Sequence, residues 1–224
     1  MVSAALLVTA VVQLSCVVLL WTRVPRVARV WLLGVVGLGV TYDAAVVGLG
    51  ATLGTGSLLH ALSVPRFVVH ALLTPLLILW AADRVDAGPR MRRAAAALTA
   101  VAVAWGVLSE LPHLHLVPKS YADTVRYAAE HAVPPAPAIV VSVVLLAAGI
   151  MLWRRERRSA VLIGTVLLFI ASAAAVAVPP LGNAGEAAML LGLVAAELPK
   201  RSRTPTTDVD NHTVPSDTGP GAPG

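Results

Sequence analysis

Cysteine is almost missing from this chain: Cys16 is the only one among 224 residues. An internal disulfide and a cysteine-based metal centre are therefore excluded. Lysine is nearly as scarce, with Lys119 and Lys200 alone. Charged residues make up 13% of the chain, about half of the roughly 25% found in ordinary soluble domains. The formal net charge of +5 raises nucleic acid as a partner. The basic residues other than Arg66 are confined to loops, however, with no basic patch interleaved with aromatics, so that class is rejected.

Aliphatic residues and alanine take the place of the missing charge, and 57% of the chain is hydrophobic. Several apolar runs approach or exceed the roughly 18 residues that mark a membrane-crossing helix. The fold expected is an all-α polytopic transmembrane bundle of about seven spans, near residues 3–21, 30–52, 58–82, 94–110, 135–153, 160–178 and 181–198. The first run lacks a basic n-region and exceeds a signal-peptide core in length, so it reads as a retained helix. Pro179 and Pro180 break the sixth span from the seventh. The last two segments are thus either two full spans or a tight, partly re-entrant hairpin.

Fourteen of the seventeen basic residues follow the first, third, fifth and last spans. Lys119 and Arg126 lie on the opposite side, and Arg66 lies within a span. Basic loops stay in the cytoplasm, which places the N-terminus outside and the C-terminus inside. Trp21, Trp31, Trp80 and Trp153 fall at the cytoplasmic ends, as an interfacial belt requires. Residues 1–203 form the bundle on this reading. Residues 204–224, rich in Pro, Gly, Thr, Ser and Asp, form a disordered cytoplasmic tail. The Ala-, Val-, Gly- and Arg-rich composition suggests a GC-rich bacterial genome and a multi-pass plasma-membrane protein.

Ionisable groups inside a span cost about 2.5–3.5 kcal/mol each on insertion scales, so they face the bundle interior and are the first functional candidates. Ser63, Arg66, His70 and Thr74 in the third span are spaced by three, four and four, which puts them on one helical face. Pro65 and Pro75 weaken the backbone near that face. Arg66 and Asp43 lie at similar depth on adjacent antiparallel helices, and an Asp43–Arg66 pair is expected. It reads either as a structural ion pair or as a charge pair that binds a polar headgroup or anion. Glu186 opens the last span behind Asn183, which can cap that helix, with the acid then in the first turn. Asp83 and Glu197 lie at cytoplasmic ends, within reach of water.

The loop between the fourth and fifth spans contains Glu110, His113, His115, Tyr121, Asp123, Arg126, Tyr127, Glu130 and His131. Ser120-Tyr121-Ala122-Asp123 resembles a capping box, which predicts a short surface helix over about 121–131. His60, Glu110, His113, His115 and His131 are candidate ligands for zinc or a similar transition metal on the outer face. No His-Glu-x-x-His helix is present.

Seven spans with an external N-terminus resemble the microbial rhodopsins. Their retinal needs a lysine midway along the last helix; neither Lys119 nor Lys200 is there, so retinal is excluded. The pattern is also similar to the ceramidase and adiponectin-receptor superfamily of zinc lipid hydrolases. The paired histidines four apart on the last helix of that superfamily are missing here, and its orientation differs. That likeness is architectural, and no residue role is carried over. Haem needs two facing histidines at equal depth, and only His70 is deep. The first functional expectation is an outward-facing polar pocket, built from Asp43, Ser63, Arg66, His70, Thr74 and Glu186, that binds or hydrolyses a lipid or isoprenoid headgroup. A proton-coupled carrier and a non-catalytic membrane subunit are the alternatives.

Overall fold

The computed structural model describes residues 1–130 and 136–199. The expected tail, 204–224, lies outside them. The chain forms α1 (Val2–Arg23), α2 (Ala28–Leu53), α3 (Ser57–Leu73), α4 (Leu77–Arg84) and α5 (Pro89–Trp105). A two-stranded hairpin follows, β1 (Leu116–Tyr121) and β2 (Thr124–Ala129), and then α6 (Ala136–Glu156), α7 (Ala160–Ala174) and α8 (Leu181–Glu197). A 3-10 turn at Thr74–Leu76, where Pro75 lacks a backbone donor, joins α3 to α4 as one bent rod. A π turn over Gly106–Glu110 closes α5.

Five segments are long and apolar enough to cross a membrane: Val2–Arg23, Ala28–Leu53, Ser57–Arg84, Pro89–Ser109 and Ala136–Glu156. The last two helices are shorter than the apolar runs suggest. Helix α7 stops at Ala174, and turns occupy 175–180. At 1.5 Å per residue, α7 and α8 span about 22 and 25 Å, below the roughly 30 Å of bilayer hydrocarbon.

The hairpin corrects two expectations, a purely helical fold and a helix over 121–131. Ser120 pairs with Val125 and Tyr121 with Thr124, leaving Ala122-Asp123 as a two-residue turn. Ala122 takes a φ of 50° there, and the Thr124 hydroxyl donates to the Tyr121 carbonyl at 2.7 Å. Asp123 caps no helix of its own. Its carboxylate accepts from the Val2 amide at 2.7 Å and from the Met1 ammonium, and these contacts hold its carboxyl below the usual range. The hairpin is thereby fastened to the start of α1 and lies over the ends of α2 and α3. A Cβ at Gly50 would collide with the Val125 carbonyl oxygen, and the Tyr127 ring meets His60 edge-on at 5.0 Å between centroids.

Lipid gives apolar helices no hydrophobic reason to associate, so close packing and polar ties must hold them. Helices α7 and α8 pack most intimately, because glycines let their backbones touch. A Cβ at Gly164 would lie 2.6 Å from the Ala188 carbonyl oxygen, and one at Gly192 would strike that of Ala160. The main core gathers Leu20, Leu33, Trp80, Leu145, Leu190 and Leu193, all fully buried.

At the end opposite the hairpin, this core is closed by a charge cluster centred on Glu197. That acid was expected to reach water, yet its side chain is 1% exposed. Arg29 Nε donates to both its oxygens at 3.1 Å, and Trp80 Nε1 donates to Oε1 at 3.1 Å. Arg84 makes a two-pronged pair with Glu156 at 2.8 Å and also donates to the Ala196 carbonyl. Arg158 donates to the carbonyls of Ala196 and Leu198 at 2.7 and 3.0 Å, which satisfies the otherwise unpaired C-terminus of α8. Four helices thus meet on one carboxylate and its neighbours.

Glu197→Ala should leave Arg29 and the Trp80 indole facing an empty site, at a cost of about 3–5 kcal/mol. Its thermal midpoint in mild detergent should fall by several degrees, whereas Glu197→Gln, which keeps an acceptor, should fall less. Equal midpoints for wild type and Glu197→Ala would contradict the central role of this carboxylate.

Candidate functional site

The hairpin end holds a second polar cluster, built by three helices and one strand. Helix α2 supplies Tyr42 and Asp43, α3 supplies Arg66 and His70, α8 supplies Asn183 and Glu186, and β2 supplies Arg126 and the Tyr127 carbonyl. The expected charge pair is present: Arg66 Nε donates to Asp43 Oδ1 at 2.7 Å, and the Arg66 side chain is 8% exposed. Arg66 Nη1 reaches the Tyr127 carbonyl at 3.3 Å, so the hairpin roofs the pair. The Tyr42 hydroxyl donates to the Leu62 carbonyl at 2.8 Å and ties α2 to α3 one turn away.

Asn183 corrects another expectation. Helix α8 begins two residues earlier, at Leu181, with no side-chain cap. The Asn183 side chain is buried and its amide Nδ2 donates to Asp43 Oδ2 at 2.5 Å. Both Asp43 oxygens are thus engaged, one by a cation and one by a neutral amide. Glu186 is correspondingly past the first turn. Asn183 and Glu186 share a face because they are three apart, the same spacing that aligns Ser63 with Arg66.

Arg126, in sequence a residue of the outer loop, joins this cluster through β2. It is half-buried near Arg66 and Asp43. Burial, and then the like charge of Arg66, pull its guanidinium below its ordinary value. The cluster therefore holds Arg66 against Asp43, a second arginine nearby, and His70 and Glu186 alongside.

His70 Nδ1 lies 3.9 Å from Glu186 Oε1. Glu186 Oε2 is buried without a hydrogen-bond partner. Both residues also line a cavity of about 220 Å3 that runs from the cluster toward the bundle core. Its other walls are mainly apolar, including Val36, Leu77, Val141, Phe169 and Met189, with Thr74, Ser142 and Ser172 as further polar points. A buried charged cluster and an apolar chamber thus share a boundary formed by one histidine and one acid.

Of the six pocket candidates, Asp43, Arg66, His70 and Glu186 come together and Thr74 lines the cavity wall. Ser63 does not join them. It is fully buried, and its hydroxyl donates to the Leu59 carbonyl at 2.7 Å within its own helix.

Of the five metal candidates, only His60 and His115 are wholly described. Among the described residues, no three His, Cys, Asp or Glu side chains converge. His60 packs on Tyr127, and the His115 carbonyl accepts the Glu130 amide at 2.9 Å. The side chains of Glu110 and His113, and all of His131, lie outside the described residues.

Comparison of the chain with protein-family models, with curated proteins and with solved structures gave no match. The site therefore stands on its geometry.

Arg66→Leu should strand the Asp43 carboxylate beside the bundle core and cost about 3–5 kcal/mol. The double variant Arg66→Leu/Asp43→Asn should recover at least half of that loss, because no unpaired charge is left. Thermal midpoints of the two single variants and the double variant in detergent check this. A double variant no more stable than the worse single one would contradict a direct charge pair.

Proposed function

We propose that this chain is a seven-pass membrane protein, N-terminus outside, that binds an amphiphile with a polar headgroup at the hairpin end. The observation that carries the reading is the boundary at His70 and Glu186. They face an apolar cavity on one side and the Arg66–Asp43 pair on the other. An amphiphile matches that division: a polar head can bond to His70 and to the unpartnered Glu186 oxygen, and an apolar segment can fill the chamber. The volume suits a headgroup with a short hydrocarbon or prenyl stretch, being smaller than the roughly 300–1,000 Å3 of drug-sized sites. Lipids of the surrounding membrane are the natural source.

A proton-coupled carrier is the second reading, favoured by one observation: the facing imidazole and carboxylate 3.9 Å apart could exchange a proton with a passing substrate. The proposed orientation is supported by the arginine-rich connections, which fall at the Glu197 end. The plasma-membrane assignment rests on composition.

Two experiments test this. In a Cys16→Ser background, Ser120→Cys on the hairpin should react with a membrane-impermeant maleimide on intact cells, and Gly88→Cys between α4 and α5 should not. The reverse result would overturn the orientation. For the ligand, the protein is purified in mild detergent and its retained lipids are identified by mass spectrometry. Ser172→Phe, which fills the cavity without touching the charged cluster, should abolish retention of a specific amphiphile at an unchanged thermal midpoint. His70→Ala should weaken it roughly tenfold, the loss of one hydrogen bond to a charged group. No selective retention by wild type, together with proton-driven uptake into vesicles, would replace binding with the carrier reading.

A further inference from the structure

A second, larger chamber lies away from the polar cluster, between α4, α5 and α6 near the arginine-rich end. Its volume is about 490 Å3, within the range of well-formed ligand sites. Each helix contributes residues one, four, five and eight of a two-turn stretch. The ends of these stretches are large (Ile78 and Val85, Met91 and Leu98, Val144 and Met151), and the middle positions of all three are alanine. The short alanine side chains leave open space between the three helices. Met91, Leu98 and Ala147 remain exposed, so the chamber is a groove open at its side.

The polar end of the groove carries one arginine in its lining. Arg155 lines it and donates Nη1 only to the Val85 carbonyl, at 3.3 Å. Arg29, Arg84, Arg92 and Arg158 at the same end each have a carboxylate partner, and Arg155 has none among the described residues. The remaining charge at the groove is Asp86, beside the start of α5, whose first turns carry Arg90, Arg92 and Arg93. An apolar trough ending in an unpaired guanidinium among arginines is complementary to a hydrocarbon chain ending in a phosphate.

We propose that this groove is a binding site for an anionic phospholipid, with an acyl chain along the alanine-floored trough and the headgroup phosphate at Arg155. Basic pockets between membrane helices hold anionic headgroups by this combination of buried chain and local positive charge. The site does not depend on the amphiphile proposed for the hairpin end, since the two chambers share no residue.

The test uses the full chain in mild detergent, titrated with phosphatidylglycerol or with phosphatidylcholine of the same chains and read by native mass spectrometry. Phosphatidylglycerol should be retained preferentially. Arg155→Gln should weaken it about fivefold, the attraction of one arginine for an anionic headgroup, and weaken phosphatidylcholine, whose phosphate is offset by its own ammonium, by less. Asp86→Asn should strengthen it. Ala147→Leu, at an exposed position where the longer side chain displaces no buried neighbour, should block the trough and remove both lipids, and Ala94→Leu serves as its replacement if that variant unfolds. Equal retention of the two lipids, or indifference to Arg155→Gln and to both leucine variants, would overturn the proposal. A change of oligomeric state in the leucine variants would do so as well, by assigning the groove to a helix of a second copy.

Discussion

A carboxylate inside a helix bundle has to be compensated where it lies, and two of them, Glu197 and Asp43, determine how this bundle is assembled. Each collects donors from helices far apart in the chain: Arg29, Trp80 and Arg84 around one, Arg66 and Asn183 around the other. Apolar packing alone would allow α8 to slide or rotate against α2, because lipid is as good a neighbour as another leucine. Two carboxylates at opposite ends of the α2–α8 contact remove that freedom. Asp43 on α2 bonds to Asn183 at one end of α8, and Glu197 at its other end bonds to Arg29 on α2. The register between these helices is therefore held twice, about 20 Å apart along the axis by helical rise.

The same two centres differ in what they leave over. Around Glu197 the donors are numerous and the last carbonyls of α8 are bonded, so the cluster is saturated and reads as architecture. Around Asp43 an extra cation, Arg126, and an extra acid, Glu186, are brought in without direct partners among the neighbours that bind Asp43. A cluster that keeps unspent hydrogen-bonding capacity beside an apolar chamber can interact with a ligand, which is why the functional reading rests there.

Much of this was legible in the residues and some was not. The Asp43–Arg66 pair was, because both interrupt apolar runs and depth can be counted from the helix ends. Asn183 was not, because an asparagine near a helix start already has a sufficient local explanation; its true partner is 140 residues away. Glu197 precedes Lys200 and Arg201 and so reads as interfacial, whereas the chain folds Arg29, Arg84 and Trp80 over it. The hairpin was hidden for a different reason. Its turn, Ala122-Asp123, has neither glycine nor asparagine, and Ser120 three residues before Asp123 imitates a helix start. Strand pairing, not local propensity, decides that segment. The paired alanines of α4, α5 and α6 are written in the sequence, but only the helix directions show that they face one another.

The shortness of α7 and α8 has a consequence for the bilayer itself. As spans they fall about 5–8 Å short of the hydrocarbon thickness, and a membrane accommodates such mismatch by thinning locally. The polar–apolar boundary beside this helix pair would then dip toward the midplane. Glu186 lies on α8 and His70 faces it, so such a dip would bring headgroup level closer to both without any movement of the protein. Membrane thickness, which varies with lipid chain length and sterol content, would thereby bear on what reaches the site.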